Sequence, residues 1–112
     1  GGNVEEGETL RQAARRDLWE ETGLYIVPNQ LIELHTGPCS APSTTAERFE
    51  VTTYLAVQWQ GVPQQREAGL RPQWLPYTAL LNNSPFAQYN RTVGEKLIAK
   101  FPSFRRHIFP SE

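Results

Sequence analysis

The chain has 112 residues, 38% hydrophobic and 21% charged, which fits one small globular domain with a modest core, and a second domain is not expected. With 11 basic and 12 acidic residues the net charge is −1, so no broad basic surface points to nucleic-acid polymers or anionic membranes, and no apolar run approaches the ~20 residues of a membrane span. The single cysteine, Cys39, excludes an internal disulfide, and with no signal-like opening segment the expectation is a cytoplasmic protein.

From Gly2 to Glu8 the run GNVEEGE reads as a loop. Thr9 followed by Gln12 has the capping-box pattern, and Gly23 is a typical residue just past a helix end, so a helix is predicted from about Leu10 to Thr22. At roughly 100° per residue, Leu10, Ala13, Ala14 and Leu18 share one arc and should face the core, while Gln12, Arg15, Arg16 and Trp19 lie towards the other side. Asp17, Glu20 and Glu21, spaced i, i+3, i+4, fall inside the apolar arc and are predicted to point inwards. Neighbouring carboxylates repel by a few tenths of a kcal/mol per pair, and near a helix C-terminus they also oppose the macrodipole. Stability alone would not choose this arrangement. A solvated acidic patch in a frayed last turn is the plain alternative. Inward-facing acids instead need cations, and a hard divalent ion such as Mg²⁺ takes oxygen ligands while keeping waters for a phosphate-bearing substrate. Glu8 suits a helix N-terminus, Arg16 is placed for an i, i+4 ion pair with Glu20, and Trp19 on the polar side is a candidate contact for a partner segment.

Gly2, Glu8, Arg16, Asp17, Leu18, Glu20, Glu21, Gly23 and Leu24 stand at the spacings of the pattern G-x5-E-x7-R-E-U-x-E-E-x-G-U, with U aliphatic. The run resembles the Nudix box, and the chain is similar to the MutT-like branch of the Nudix hydrolase superfamily. One fixed position departs from the pattern, since Asp17 stands where that family has Glu.

Beyond the helix, Leu24 to Val27 and Leu31 to Thr36 read as short strands around the turn signal Pro28, Asn29, Gln30. A Pro-, Ser- and Thr-rich loop from Gly37 to Thr45 follows, in which Cys39 reads as an ordinary loop thiol with His35 the nearest base. Strict alternation from Phe49 to Trp59 predicts a strand ended by Gly61 and Pro63. Gln64 to Pro72 is a polar loop carrying Glu67, and Gln73 to Leu75 reads as a further short strand. Tyr89, Val93, Leu97 and Phe101 recur every fourth residue and predict an amphipathic C-terminal helix over about 89–101, stopped by Pro102. Asn90 opens that helix as an N-cap or first-turn residue, and His107 falls on the surface of the tail.

The resemblance implies an α/β (α+β) chain, a Nudix-type α/β/α sandwich with a mixed central sheet, one domain over residues 1–112 with its box at 2–24. It also implies strands before the box, so a missing N-terminal segment or a second protomer is expected to complete the sheet. By the same resemblance the catalytic set is Asp17, Glu20, Glu21 and Arg16, with Arg16 orienting the acids. The metal, Mg²⁺ or in its place Mn²⁺, is held by the Gly2 carbonyl, Asp17, Glu20, Glu21 and a loop glutamate, Glu67, with Glu8 in support. Asn90 is implied to pair with a purine edge. The expected activity is pyrophosphohydrolysis of a nucleoside diphosphate linked to another group, foremost a nucleoside triphosphate to monophosphate and pyrophosphate, with 8-oxo-dGTP one candidate. ADP-ribose or a nucleotide sugar is the rival substrate, suggested by Pro38 and Pro42, and a nucleotide-binding sensor with little catalysis is the alternative from a different class.

Overall fold

Thr9 and Gln12 close on each other at the start of helix α1 (Leu10–Thr22) in a computed structural model of the chain, which describes residues 3–39, 49–83 and 86–110. The Gln12 amide donates to Thr9 Oγ1 at 3.1 Å and the Thr9 amide donates to Gln12 Oε1 at 2.9 Å, satisfying two of the helix's orphan N–H groups. Gly23 ends the helix in the left-handed region, φ 76°, and its N–H returns to the Trp19 carbonyl. The capping residues predicted from sequence are the ones that bound the helix.

The chain divides into two units, Gly1–Glu33 with Tyr54–Trp74, and Leu34–Thr53 with Leu75–Glu112. In the first, Ala13 of α1 is buried with Leu24, Ile26 and Leu31. A 3₁₀ turn, Pro28–Gln30, separates the segment after α1 from strand β1. Arg11 anchors that region by donating to the Leu31 carbonyl, and its guanidinium lies 5.0 Å over the Tyr54 ring. Tyr25 and Gln60 exchange a pair of 2.9 Å backbone hydrogen bonds as an isolated antiparallel bridge. The Gln64 N–H donates to the Thr22 carbonyl at 2.8 Å, so the segment after Gln60 is tied to the last turn of α1.

Strands β1 (Ile32–Cys39) and β2 (Phe49–Leu55) form a two-stranded antiparallel sheet. Thr36 and Thr52 join their hydroxyls across it at 2.9 Å. In the second unit, His35 and Thr53 lie under Tyr89 of helix α3 (Ala87–Lys100): the Tyr89 hydroxyl is 2.7 Å from Thr53 Oγ1 and its ring stacks on His35 at 5.6 Å. Val93, Leu97 and Ile98 of α3 are buried with Leu34, Cys39, Ile108 and Phe109. Two short helices, α2 (Tyr77–Asn83) and α4 (Arg105–Ile108), complete this unit. Tyr77 donates its hydroxyl to the Asn90 carbonyl, and burial pushes its pKa up to about 12.

The mixed helix-and-strand class holds, and several predicted boundaries change. Leu24 to Val27 forms no strand beyond the single bridge at Tyr25. The proline turn that follows interrupts the partner to which β2 would continue to pair, so β2 stops at Leu55 instead of Trp59. β1 in turn extends through Gly37 and Pro38 to Cys39, where a loop was predicted; residues 40–48 of that loop lie outside the described residues. Gln73 to Leu75 is not a strand; Trp74 there stacks on Trp59 at 5.4 Å. Pro102 ends α3 as predicted, but a 3₁₀ turn and α4 follow, and His107 is exposed against Phe104.

At Gly94 helix α3 is closely approached by its neighbours. A Cβ there would meet Ile108 Cγ2 at 2.9 Å, Phe109 Cζ at 3.2 Å and Tyr77 Cε1 at 3.2 Å. Gly94→Val is expected to lower stability by about 1–3 kcal/mol, because overpacking outweighs the gain in helix propensity. A urea midpoint equal to that of the unsubstituted chain contradicts this packing.

Candidate active site

Helix α1 carries the acids, and one cation organises them. Arg16 sends Nε to Glu8 Oε2 at 2.8 Å and Nη2 to Glu8 Oε1 at 3.1 Å, a two-point contact between the guanidinium fork and a carboxylate. Its Nη1 reaches Asp17 Oδ1 at 3.1 Å and Glu20 Oε2 at 3.4 Å, and lies 3.7 Å from Glu5 Oε1. Its Nη2 also donates to the Asn3 carbonyl at 2.9 Å. Glu8 is fixed from the other side by the Glu5 N–H, which donates to Glu8 Oε1 at 3.0 Å.

These contacts shift both partners' titration. The hydrogen bond from Arg16 holds the Glu8 carboxyl below the usual carboxylate range, with the Glu5 amide adding to it. The same bond from Glu8 pushes Arg16 further above its ordinary value. Both groups stay charged throughout the neutral range.

The three predicted inward acids do not share one environment. Asp17 is buried beside Ala13, with only 9% of its surface exposed, and is held there by Arg16. Glu21 is half-buried. Glu20 is not inward: 52% of its side chain is exposed, because its carboxylate leans along the helix towards Arg16. Leu10, predicted on the buried arc, is also exposed, since it lies in the first turn where none of the described residues covers it. The buried stripe of α1 is therefore narrower than the sequence arc, and Asp17 occupies its centre.

Among the described residues no three His, Cys, Asp or Glu side chains converge into a ready cage for a metal ion. Glu67 joins no such group. It is exposed in a turn closed by the Leu70 N–H to its carbonyl at 3.2 Å. Its neighbour Arg66 meets α1 on the Trp19 side, its guanidinium 4.6 Å over the indole, across the helix from Asp17. Gly2, whose carbonyl was a predicted ligand, lies outside the described residues. Asn90 sits in the first turn of α3 but caps nothing; its Nδ2 donates to the Leu80 carbonyl at 3.3 Å, tying α2 to α3.

Open carboxylate pairs still suit a hard divalent cation. Mg²⁺ keeps several waters and is commonly bound by one or two carboxylates plus substrate phosphate oxygens, not by an all-protein cage. The donors on the last turns of α1 are all anionic oxygens, and Glu20 presents one of them to solvent. The residues fit such an ion on the chemistry of the donor set.

Sequence reasoning missed the Asn3 carbonyl, the Glu5 amide and the cation–ring contacts of Arg15 and Arg66. The first two are backbone groups, whose role leaves no trace in residue identity. The contacts of Arg15 with Tyr25 and of Arg66 with Trp19 depend on tertiary approach. Two cavities of the first unit, about 540 and 350 Å³, are walled by residues around Tyr25 and Gln60 and not by the acids of α1.

A family model described as the NUDIX domain matches residues 1–97. The oxidized purine nucleoside triphosphate hydrolase of Danio rerio is 34% identical over 88 residues, covering 79% of this chain and 51% of that protein. The protein of the same description from Mus musculus is 34% identical over 92 residues, covering 78% of this chain and 51% of its own length. Phosphatase NudJ of Escherichia coli K12 is 50% identical over 34 residues, 30% of this chain and 22% of that protein. The chain spans about half the length of the first two relatives it matches.

The Glu8–Arg16 contact generates a pH prediction. The folded carboxyl titrates below its ordinary value of 4.5, so between the two values the unfolded chain binds more protons and stability rises with pH. The contribution is complete above about pH 5 and is lost as pH falls through the folded value. Glu8→Gln is expected to be less stable than the unsubstituted chain at pH 7, with the difference in urea midpoint closing as pH falls to about 3. A difference that stays constant with pH contradicts the contact.

Proposed function

This chain belongs to the NUDIX domain family, and on that premise we propose that it is the catalytic part of a divalent-metal-dependent pyrophosphohydrolase acting on nucleoside triphosphates. The reading takes residues 1–112 as one Nudix domain, supported by a family match that runs through both units. The observation that carries it is the set of carboxylates on one helical turn held by a single arginine, with Asp17 buried at its centre.

The chemistry asks for such a set. A polyphosphate and an attacking water must be brought together against charge repulsion, and the leaving oxygens must be stabilised. Asp17, Glu20 and Glu21 would hold Mg²⁺ or Mn²⁺, which when bound neutralises phosphate oxygens and acidifies water for in-line attack. Arg16 and Glu8 keep the carboxylates in place, and the Arg16 fork limits the rotation of Asp17 and Glu20. A carboxylate of this set takes the proton of the attacking water. Oxidised purine triphosphates are the foremost substrates, supported by the printed descriptions of the Danio rerio and Mus musculus relatives. Cleavage then gives a nucleoside monophosphate and pyrophosphate. The half of the relatives' length not spanned here belongs to this proposal as well: an additional segment or a second protomer completes the working enzyme.

Asp17 favours a second reading. It is one methylene shorter than the family's glutamate, and a misplacement of about 1 Å can lower a rate on the order of a hundredfold. A Nudix domain that binds nucleotide and turns it over slowly is consistent with that substitution.

A panel of nucleoside triphosphates, ADP-ribose and nucleotide sugars with Mg²⁺, followed by product identification, separates these readings. Monophosphate and pyrophosphate from a triphosphate are the expected products, with turnover abolished by chelator. Glu21→Gln is expected to lower turnover by on the order of a hundredfold with the helix content unchanged. Tight binding without turnover supports the slow-turnover reading, and unchanged turnover of Glu21→Gln removes the metal role of that residue.

A further inference from the structure

The side of α1 opposite Asp17 has a chemistry of its own. At roughly 100° per residue, Arg15 and Trp19 lie across the helix from the acid site. Arg15 stands 5.7 Å over the Tyr25 ring, and Arg66 stands 4.6 Å over the Trp19 indole. Beside Trp19 and Tyr25 is a cavity of about 350 Å³ lined by Arg15, Trp19, Gly23, Tyr25, Gln60 and Gly61, within the range of small-ligand pockets, and Arg66 reaches its edge, with Cδ 3.3 Å from where a Cβ on Gly23 would stand.

Three features define what fits there. First, among the described residues neither Arg15 nor Arg66 makes an ion pair, unlike Arg16, whose donors are taken up by Glu8, Asp17 and Glu20. A guanidinium with free donors is matched by an oxyanion, and phosphate satisfies two of them at once. Second, the two aromatic rings are exposed, Trp19 by 41% and Tyr25 by 37%, so each offers surface to a planar group. Third, the floor is built from two glycines, with the Arg66 and Gln64 side chains lying over Gly23: Gly61, at φ 97°, comes so close to Gly23 that a Cβ on it would stand 3.0 Å from the Gly23 carbonyl oxygen. The Tyr25–Gln60 bridge fixes this floor to the strand-like segment beside it.

A bare anion leaves the exposed ring surface unused, and an apolar ring compound leaves the guanidinium hydrogen-bond donors without an acceptor. A cation is repelled. We propose that this pocket is a second ligand site, separate from the acid face of α1, for a ring-bearing phosphate ester of the nucleoside monophosphate class. The ring lies against the Trp19 indole, and the phosphate is held by Arg15 and Arg66. The site needs no metal, which separates it from the catalytic reading of the opposite face.

The test is a titration of the 112-residue chain with adenosine monophosphate in chelator-containing buffer, followed through the indole N–H nuclear resonances. The Trp19 signal is assigned by its disappearance in Trp19→Phe. The Trp19 signal is expected to move saturably, and adenosine or inorganic phosphate alone should bind at least tenfold more weakly. The double variant Arg15→Gln with Arg66→Gln, which removes no hydrogen bond or ion pair of the acid site, should lose about tenfold or more in affinity, as expected for a lost charge-assisted contact. The proposal is overturned if the Trp19 signal does not move at about 10 mM adenosine monophosphate. It is equally overturned if the double variant, shown folded by its amide spectrum, binds as tightly, or if adenosine or phosphate alone matches the nucleotide.

Discussion

Arg16 spends two of its nitrogens on Glu8, at 2.8 and 3.1 Å, and with the third reaches Asp17 and Glu20 at 3.1 and 3.4 Å, and the acidic side of α1 depends on that division. Carboxylates at i, i+3 and i+4 repel, and each pair costs a few tenths of a kcal/mol in a helix. One cation, shared among Glu8, Asp17 and Glu20, cannot neutralise all three. Because Glu8 takes two of the three nitrogens, Asp17 and Glu20 share the third and keep an excess of negative charge. The helix thus carries acids held in fixed positions but only partly compensated. This is the condition under which additional cations, and through them phosphate groups, are attracted.

The local fold supplies the rigidity that this arrangement needs. A capping box fixes where α1 begins, and a left-handed glycine fixes where it ends. Asp17 is then buried in register with Ala13, one turn earlier, and not by any special affinity of its own for the interior. A buried carboxylate is destabilising unless it is paired and hydrogen-bonded, and Arg16 provides both. The opposite side of the same helix carries Arg15 and Trp19, which meet Tyr25 and Arg66, so α1 separates an acidic surface from a cationic, aromatic one.

What could be read from the sequence was what depends on near neighbours. Thr9, Gln12 and Gly23 gave the bounds of α1, and the fourfold spacing of Tyr89, Val93 and Leu97 gave α3. The position of Asp17 was also legible, because helical periodicity alone carries it inwards. Strand ends were not, since β2 stops where the proline turn at Pro28 removes its partner, a matter of residues far apart in the chain. α2 was missed because Tyr77 to Asn83 is too short for its periodicity to stand out. Glu67 lies in an exposed turn, and its neighbour Arg66 makes the contact with α1, a tertiary approach that residue identity does not disclose. The exposure of Glu20 has a similar origin, since a helical wheel places a residue but does not include the pull of Arg16 on its carboxylate.

The most direct measurement bearing on Arg16 as the organiser of the proposed metal site is Mn²⁺ binding by paramagnetic resonance in Arg16→Lys. Lysine keeps the charge but loses the planar fork that grips Glu8 while reaching Asp17 and Glu20. If Arg16 positions the acids, the helix content is retained and Mn²⁺ affinity falls by about 10- to 100-fold. Mn²⁺ binding at the unsubstituted affinity, in a folded Arg16→Lys chain, contradicts the assignment.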